Sequence, residues 1–300
     1  MSDFKIWLSA MRLRTLPLSV SGIIIGACFG HYDGKFDWLV FIIAIALTIG
    51  FQILSNLSND YGDGVKGTDN ENRVGPERAI QSGKISKEQM LEAIKKNILI
   101  VIFLIVGLIF AAFGTKYFLY GLIFIILGVI ATYSAMSYTM GESAYGYKGL
   151  GDVFVFIFFG LVSVIGSYFL FTKQLHHFVI LPAISVGLLS VGVLNLNNMR
   201  DIDSDKLSNK ITLAVKLGKV KAKQYHVFLI FAAIVVSFCF SILYYTSFWN
   251  FLFYITYIPL IVHLKKINKA KEPNDFDSQL KILALTTFLF SILLGIGYIL

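Results

Sequence analysis

Two stretches of the sequence gather carboxylates and amides at a spacing that could hold a metal ion. The first contains Asn56, Asn59, Asp60 and Asp63, which follow an apolar run and lie three or four residues apart. Positions with this spacing share one face of an α-helix. The pattern therefore predicts a polar stripe at the end of an apolar helix, if that helix continues to Asp63.

A second stripe repeats this composition further along the chain. Its members, which share a helical face by the same spacing, are Asn197, Asn198, Asp201 and Asp205. Asp203 points away from that face. In both stripes an asparagine precedes an aspartate by four residues, and each stripe leads into a basic loop. The match suggests an internal duplication.

The four aspartates indicate divalent-metal chemistry. Gathered at one place, the carboxylates of Asp60, Asp63, Asp201 and Asp205 would repel each other and lose solvation, unless a cation bridged them. Mg²⁺ accepts one or two carboxylates and completes its shell with water and phosphate oxygens. The stripes therefore predict a Mg²⁺ site for a diphosphate substrate, with these four residues as metal ligands and catalytic groups.

Basic side chains near the stripes are candidates for binding the diphosphate and neutralising it as it leaves. They are Lys66, Arg73, Arg78, Lys84, Lys148 and Arg200. The amides of both stripes, Asn56, Asn59, Asn197 and Asn198, are further candidates for the same role.

The composition determines where such a site must lie. Of the 300 residues, 56% are hydrophobic and 15% charged, and the mean hydropathy is +0.73. A soluble domain has about 25% charged residues, so the chain is expected to be an all-α polytopic membrane protein. The two cysteines lie in apolar stretches without metal-ligand spacing, which argues against redox chemistry.

Nine stretches are long and apolar enough to be membrane spans. They cover residues 13–30, 38–58, 97–114, 117–140, 152–171, 177–198, 225–247, 248–264 and 280–300. The seventh and eighth abut around Thr246, Ser247 and Trp249, so a count of eight is the alternative. Their combined length is too great for one helix, which favours nine.

The basic residues predict the orientation, because cytoplasmic loops collect Lys and Arg. With a cytoplasmic N-terminus and nine spans, 22 of the 26 Lys and Arg residues lie on the inner side. Most of them fall in two loops, 59–96 and 199–224. This distribution predicts an inner-membrane protein with its site facing the cytoplasm. It also accounts for the net charge of +8 through anionic lipid, with no nucleic-acid partner.

At these residues the chain resembles the UbiA superfamily of intramembrane prenyltransferases, and within it the branch that acts on 1,4-dihydroxy-2-naphthoate. The resemblance is carried by separated motifs. They are Arg14-Thr-Leu-Pro17, Asn59-Asp60-Tyr61 with Asp63, Gly67-Thr68-Asp69, Arg73-Val-Gly75-Pro76 with Arg78, Tyr147-Lys148-Gly149 to Asp152, Asn197-Asn198-Met-Arg200-Asp201 with Asp205, and Thr212-Leu-Ala-Val.

The resemblance implies a nine-helix UbiA-type bundle with residues 1–300 as one domain. It implies Mg²⁺-dependent transfer from a polyprenyl diphosphate to dihydroxynaphthoate with loss of CO₂, as in menaquinone biosynthesis. Asp69, Tyr61 and Tyr147 become candidates for binding the acceptor. Residue 67, where the superfamily pattern has a carboxylate, is a glycine, and whether Asp69 binds metal or acceptor stays open.

Other functions fit the sequence less well. Sister prenyltransferases acting on 4-hydroxybenzoate, haem, chlorophyllide or glycerophosphate would share the metal site, and the stretch from Gly67 to Arg78 favours naphthoate. A cation-coupled transporter would place its carboxylates near the bilayer midplane, whereas here they cluster at one membrane face beside basic residues. The signature of a CDP-alcohol phosphotransferase does not occur in the sequence.

Overall fold

The computed structural model describes residues 3–69 and 74–300, so the predicted site residue Arg73 lies outside the described residues. All regular elements in these two ranges are helices. The all-α prediction is confirmed.

The helices are numbered here in chain order. They are α1 (Asp3–Met11), α2 (Leu16–Tyr32), α3 (Trp38–Lys66), α4 (Lys87–Phe113), α5 (Phe118–Ser137), α6 (Gly151–Thr172), α7 (Ile180–Arg200), α8 (Ile202–Leu207), α9 (Leu213–Leu243), α10 (Tyr257–Lys269) and α11 (Pro273–Ile299). The middle of α6, Phe156–Gly166, is a π-helix, and Tyr145–Lys148 and Phe248–Thr256 are 3₁₀ helices.

Eight helical segments of the described chain are long and apolar enough to cross a membrane. They correspond to eight of the nine predicted spans, and the chain is an integral multi-pass membrane protein. The remaining stretch, 248–264, is not among the eight. It folds as the 3₁₀ helix Phe248–Thr256 continued by α10. The carboxamide oxygen of Asn250 accepts hydrogen bonds from the amides of Thr246 and Ser247, so this stretch is separate from α9.

Three helices, α4, α9 and α11, begin earlier than the apolar runs predict, because polar residues that cap a helix lie outside the membrane pattern. Helix α4 begins at Lys87, where Ser86 and Gln89 form a reciprocal capping box. Helix α9 begins at Leu213, where the Thr212 hydroxyl accepts a hydrogen bond from the amide of Val215, but Gly218, with φ 74° and ψ 165°, separates this first turn from the rest of the helix.

Helix α7 is the centre of the bundle. In the apolar part of this span 67% is buried inside the protein, against 17% in the apolar part of α5, which faces outward. The largest apolar cluster joins α7 to its neighbours, with Phe29 from α2, Leu189 from α7, Ile230 from α9 and Phe290 from α11. This packing fixes the position of the second stripe, which follows directly from α7.

Candidate active site

The first stripe lies at the end of α3, as the spacing predicts. Asn56, Asp60 and Asp63 are buried, and Asn59 is partly buried. The helix then ends at Gly67, whose backbone is left-handed with φ 71° and ψ 16°. Glycine adopts this conformation at little cost. A backbone requirement thus explains the glycine at a position where the superfamily pattern has a carboxylate.

The second stripe is divided between two helices. Helix α7 ends at Arg200, Asp201 has φ −97° and ψ 11°, and α8 carries Asp205. The prediction of one continuous helical face through Asp205 is therefore wrong at Asp201. Asp201 and Asp205 are nevertheless both buried. Asp203 is exposed and pairs with Lys219 at 2.7 Å, so it does point elsewhere.

A single ammonium group joins the two acidic motifs. The Lys210 Nζ atom lies 3.0 Å from Asp63 Oδ2 and 3.9 Å from Asp205 Oδ1. All three residues are less than 10% exposed. Burial disfavours the ammonium, but the two carboxylates hold the pKa of Lys210 above its ordinary value. The ends of α3 and α8 therefore converge on one buried positive charge.

Tyr147 adds a second link to the first motif. Its hydroxyl donates a hydrogen bond to Asp63 Oδ1 at 2.8 Å and contacts the hydroxyl of Thr68. Burial and the neighbouring Asp63 carboxylate raise the pKa of Tyr147, so the hydroxyl keeps its proton. The ammonium of Lys66 lies 4.2 Å from the centre of the Tyr147 ring.

Asp60 has a different set of partners from Asp63. Its carboxylate oxygens accept hydrogen bonds from the backbone amides of Ala79, at 3.1 Å, and Ile80, at 3.3 Å. It therefore anchors the loop that follows α3. Each carboxylate oxygen retains a further lone pair that could bind a metal ion.

The guanidinium of Arg200 is paired with two carboxylates of the protein itself. Its guanidinium makes two hydrogen bonds to Asp201, at 2.8 and 2.6 Å, and one to Asp277 of α11, at 2.6 Å. It also donates to the Asn197 side chain at 2.9 Å. These contacts hold the Arg200 guanidinium and the Asp201 carboxylate in fixed positions relative to each other.

The other predicted residues are spread more widely. The Asn56 amide donates to the backbone oxygen of Met11 and ties the N-terminal segment to α3, whereas Asn59 accepts from Thr139. Asn198 is buried in α7. Lys66 also donates to two backbone carbonyls, those of residues 139 and 141.

The loop residues do not all converge on the carboxylates. Asp69 and Arg78 form an ion pair at 3.7 Å. The ammonium of the exposed Lys148 donates to Ser143. Tyr61 packs against the apolar cluster around Met90.

An apolar cavity of about 330 Å³ lies between helices α2 to α6. At the end next to the acidic motifs it is lined by Asn56, Asn59 and Tyr138, and further along by residues such as Thr48 and Phe158. The lining residues of α3 run from Ala44 to Asn59, which is about 22 Å along a helix. The cavity therefore offers a long apolar wall that ends beside carboxylates.

Sequence reasoning missed three residues of this site, Lys210, Asp277 and Thr68. Lys210 is one of seven basic residues in its loop, and nothing in its spacing separates it from the other six. Asp277 lies far along the chain on α11. Only Thr68 had a local signal, since it lies between Gly67 and Asp69 in a motif already noted.

The residues present fit a divalent cation, although in the described ranges no group of three or more His, Cys, Asp or Glu side chains is arranged to hold a metal ion. Asp63 and Asp205 both lie within 4 Å of the same positive charge. Their carboxylate oxygens are hard ligands, which suit Mg²⁺ when phosphate oxygens complete the shell.

Comparison with known proteins identifies the family. Residues 19–293 match the UbiA prenyltransferase family. The chain belongs to the UbiA prenyltransferase family. It is 39% identical over 272 residues to the 1,4-dihydroxy-2-naphthoate octaprenyltransferase of Escherichia coli (strain K12), covering 91% of this chain and 88% of that protein.

A second UbiA relative carries the same name and aligns with more of the chain. It is the 1,4-dihydroxy-2-naphthoate octaprenyltransferase of Haemophilus influenzae (strain ATCC 51907 / DSM 11121 / KW20 / Rd), 36% identical, with 98% of this chain and 95% of that protein covered. The fold matches a UbiA homologue from Archaeoglobus fulgidus bound to GPP and Mg²⁺, with a TM-score of 0.69, 11% identity, and 96% and 99% of the two chains covered. The resemblance inferred from the motifs is confirmed.

Proposed function

We propose that this UbiA prenyltransferase transfers a polyprenyl group from a polyprenyl diphosphate to 1,4-dihydroxy-2-naphthoate in menaquinone biosynthesis. One observation carries the proposal: the two acidic motifs meet at Lys210, beside an apolar cavity. The acceptor is supported by the names of the two relatives at 39% and 36% identity.

In the proposed reaction the C–O bond of the allylic diphosphate breaks, and the diphosphate leaves with the bonding electron pair. The electron-rich naphthoate ring forms a C–C bond to the terminal carbon of the prenyl chain. CO₂ and one proton are then lost, which gives demethylmenaquinone in its reduced form. The apolar cavity excludes water from the allylic cation, which water would otherwise quench.

Mg²⁺ would stabilise the charge that develops on the leaving diphosphate. We propose as its ligands the four aspartates Asp60, Asp63, Asp201 and Asp205. Asp63 and Asp205 are the best supported, because both already face one cation. The Mg²⁺ bound by the Archaeoglobus fulgidus homologue supports this choice of metal.

The remaining site residues are proposed to bind the substrates. For the diphosphate they are Asn56, Asn59, Lys66, Arg73, Arg78, Lys148, Asn197, Asn198 and Arg200. For the acceptor they are Asp69, Tyr61 and Tyr147. Tyr147 has the strongest support, because its hydroxyl lies 2.8 Å from Asp63 and its ring centre lies 4.2 Å from Lys66 Nζ and 5.5 Å from Lys210 Nζ.

We further propose that residues 1–300 form one domain that crosses the inner membrane nine times from a cytoplasmic N-terminus. The additional crossing, the eighth along the chain, would be the segment from Phe248 to Lys269, a 3₁₀ helix followed by α10. This arrangement places 22 of 26 Lys and Arg residues, and the acidic motifs, on the cytoplasmic side.

The function is tested with membranes that contain the protein, octaprenyl diphosphate and one acceptor at a time. Dihydroxynaphthoate should be prenylated, whereas 4-hydroxybenzoate, haem, chlorophyllide and glycerophosphate should not. Asp63→Asn and Asp205→Asn should abolish turnover without preventing membrane insertion, and the exposed Asp203→Asn is the matched control. Prenylation of another acceptor in place of dihydroxynaphthoate would overturn the assignment of the acceptor, and near-normal rates for both site variants would overturn the metal site.

A further inference from the structure

Lys210 occupies the position between the two acidic motifs that a bridging cation would need. Its ammonium is 3.0 Å from Asp63 and 3.9 Å from Asp205, and it lies 5.5 Å from the centre of the Tyr147 ring. Lys210 therefore lies within salt-bridge distance of a carboxylate from each motif. Without it, two buried carboxylates would face each other.

The backbone of Lys210 is held firmly, although its side chain is long. The Lys210 amide donates to the backbone oxygen of Asp205 at 2.8 Å, and the Ile211 amide donates to that of Tyr147 at 3.3 Å. Asn209, just before it, has a left-handed backbone with φ 55°. The loop is therefore fixed to the second motif and to Tyr147, which binds Asp63 of the first, whereas the flexible four-carbon stem allows the ammonium to move.

The charge balance links Lys210 to metal and diphosphate. The two carboxylates of Asp63 and Asp205 and the ammonium of Lys210 together carry one net negative charge before substrate enters. A divalent cation added to the same carboxylates makes the group net positive, and the ammonium is then repelled by the metal. The diphosphate is the anion that would restore the balance, and a charge-assisted hydrogen bond from the ammonium would stabilise it.

We propose that Lys210 is an exchangeable counterion. Before substrate binds, its ammonium pairs with carboxylates of both acidic motifs and holds them together. When a divalent cation binds these carboxylates, the side chain moves and its ammonium pairs with the diphosphate instead. This inference rests on the proposed function. Lys210 is then a positioning residue that weakens the binding of the divalent cation and strengthens the binding of the diphosphate.

The test uses purified full-length protein, with Mn²⁺ as a spectroscopic probe for the divalent cation and inorganic pyrophosphate for the diphosphate. Lys210→Met removes the competing ammonium, so Mn²⁺ alone should bind at least tenfold more tightly than to the wild type. With Mn²⁺ saturating, pyrophosphate should bind at least tenfold more weakly. The melting temperature should fall without Mn²⁺ and recover when Mn²⁺ is added.

The matched control is Lys219→Met, which removes the same charge from the same region but breaks the exposed ion pair with Asp203. It should change none of the three measurements. A merely structural Lys210 would lower the melting temperature with and without Mn²⁺, and leave the Mn²⁺ affinity unchanged. That result would overturn the exchange while leaving the proposed function intact.

Two further measurements keep the inference testable if Lys210→Met does not fold. Lys210→Arg retains the charge, and its planar guanidinium can form bidentate hydrogen bonds with carboxylates. It should preserve the melting temperature and bind Mn²⁺ at least fivefold more weakly than the wild type. Equal Mn²⁺ affinity in this variant contradicts the exchange. If the wild type binds no Mn²⁺ even with pyrophosphate present, the metal-dependent function itself fails.

Discussion

The hydroxyl of Tyr147 donates a hydrogen bond to the carboxylate of Asp63, across the gap between a short 3₁₀ helix and the end of α3. Burial and the Asp63 carboxylate raise the pKa of Tyr147, so its hydroxyl keeps the proton that it donates at neutral pH. Asp63 is thereby held by Tyr147 on one oxygen and by Lys210 on the other. The relationship makes the loop before α6 part of the site.

We expect Tyr147→Phe to lower kcat/KM about tenfold. A hydrogen bond to a charged acceptor contributes about 1.5–3 kcal/mol, and the lower part of this range applies because Tyr147 is only partly buried. The ring and its contact with Lys66 remain. The control is Tyr133→Phe, which removes the same atom from a side chain that is 67% exposed on α5. Equal rates for the two variants would contradict the role of the hydroxyl.

Asp60 and Asp63 should respond differently to the same substitution. Asp60→Asn loses one of two acceptors for the amides of Ala79 and Ile80, so the following loop should open. Asp63→Asn leaves that loop intact. Limited trypsin digestion at Arg78 and Lys84 measures the difference, and we expect Asp60→Asn to be cleaved several times faster than the wild type.

Loss of turnover should accompany both substitutions, but faster cleavage should appear only for Asp60→Asn. Asp203→Asn serves as control, since its carboxylate is exposed and lies outside the converging set. Equal cleavage of the Asp60 and Asp63 variants would show that Asp60 does not anchor the loop.

Asp277 should act on catalysis through Arg200. The Arg200 guanidinium contacts Asp201 twice and Asp277 once, so Asp277 of α11 limits the orientations of the second motif. We expect Asp277→Asn to lower kcat about fivefold with little change in KM. The effect is small because the Asp277 side chain is 42% exposed, and an exposed pair contributes little.

A double-mutant cycle tests this connection. In an Arg200→Ala background, the further change of Asp277 to Asn should have no effect on kcat, because the partner is already absent. Additive losses would mean that Asp277 acts on substrate by another route.

The parts of the site that were predictable depend on local spacing. The stripe Asn56 to Asp63 follows from helical periodicity, and the apolar runs predict eight of the spans that the structure contains. The motifs were also sufficient to identify the family, which the match over residues 19–293 confirms.

The parts that were missed depend on contacts between distant segments. Lys210 becomes distinctive only when α3 and α8 converge on it, and Asp277 only when α11 packs beside α7. The break at Asp201 has no Gly or Pro to mark it, so periodicity extends one helix through Asp205. The 3₁₀ conformation of Phe248–Thr256 is likewise not predictable from a hydropathy pattern.

The apolar cavity predicts a dependence on prenyl chain length. Thr48 lines it two turns beyond Asn56 on α3, away from the acidic motifs. A phenylalanine there fills space needed by the distal part of a long chain, but leaves the diphosphate end untouched. We therefore expect Thr48→Phe to lower kcat/KM for octaprenyl diphosphate at least tenfold, and for geranyl diphosphate less than twofold. Val106→Phe, on a side chain of α4 that is 60% exposed, is the control and should change neither value. Equal losses for both donors in Thr48→Phe would mean that the prenyl chain follows another path.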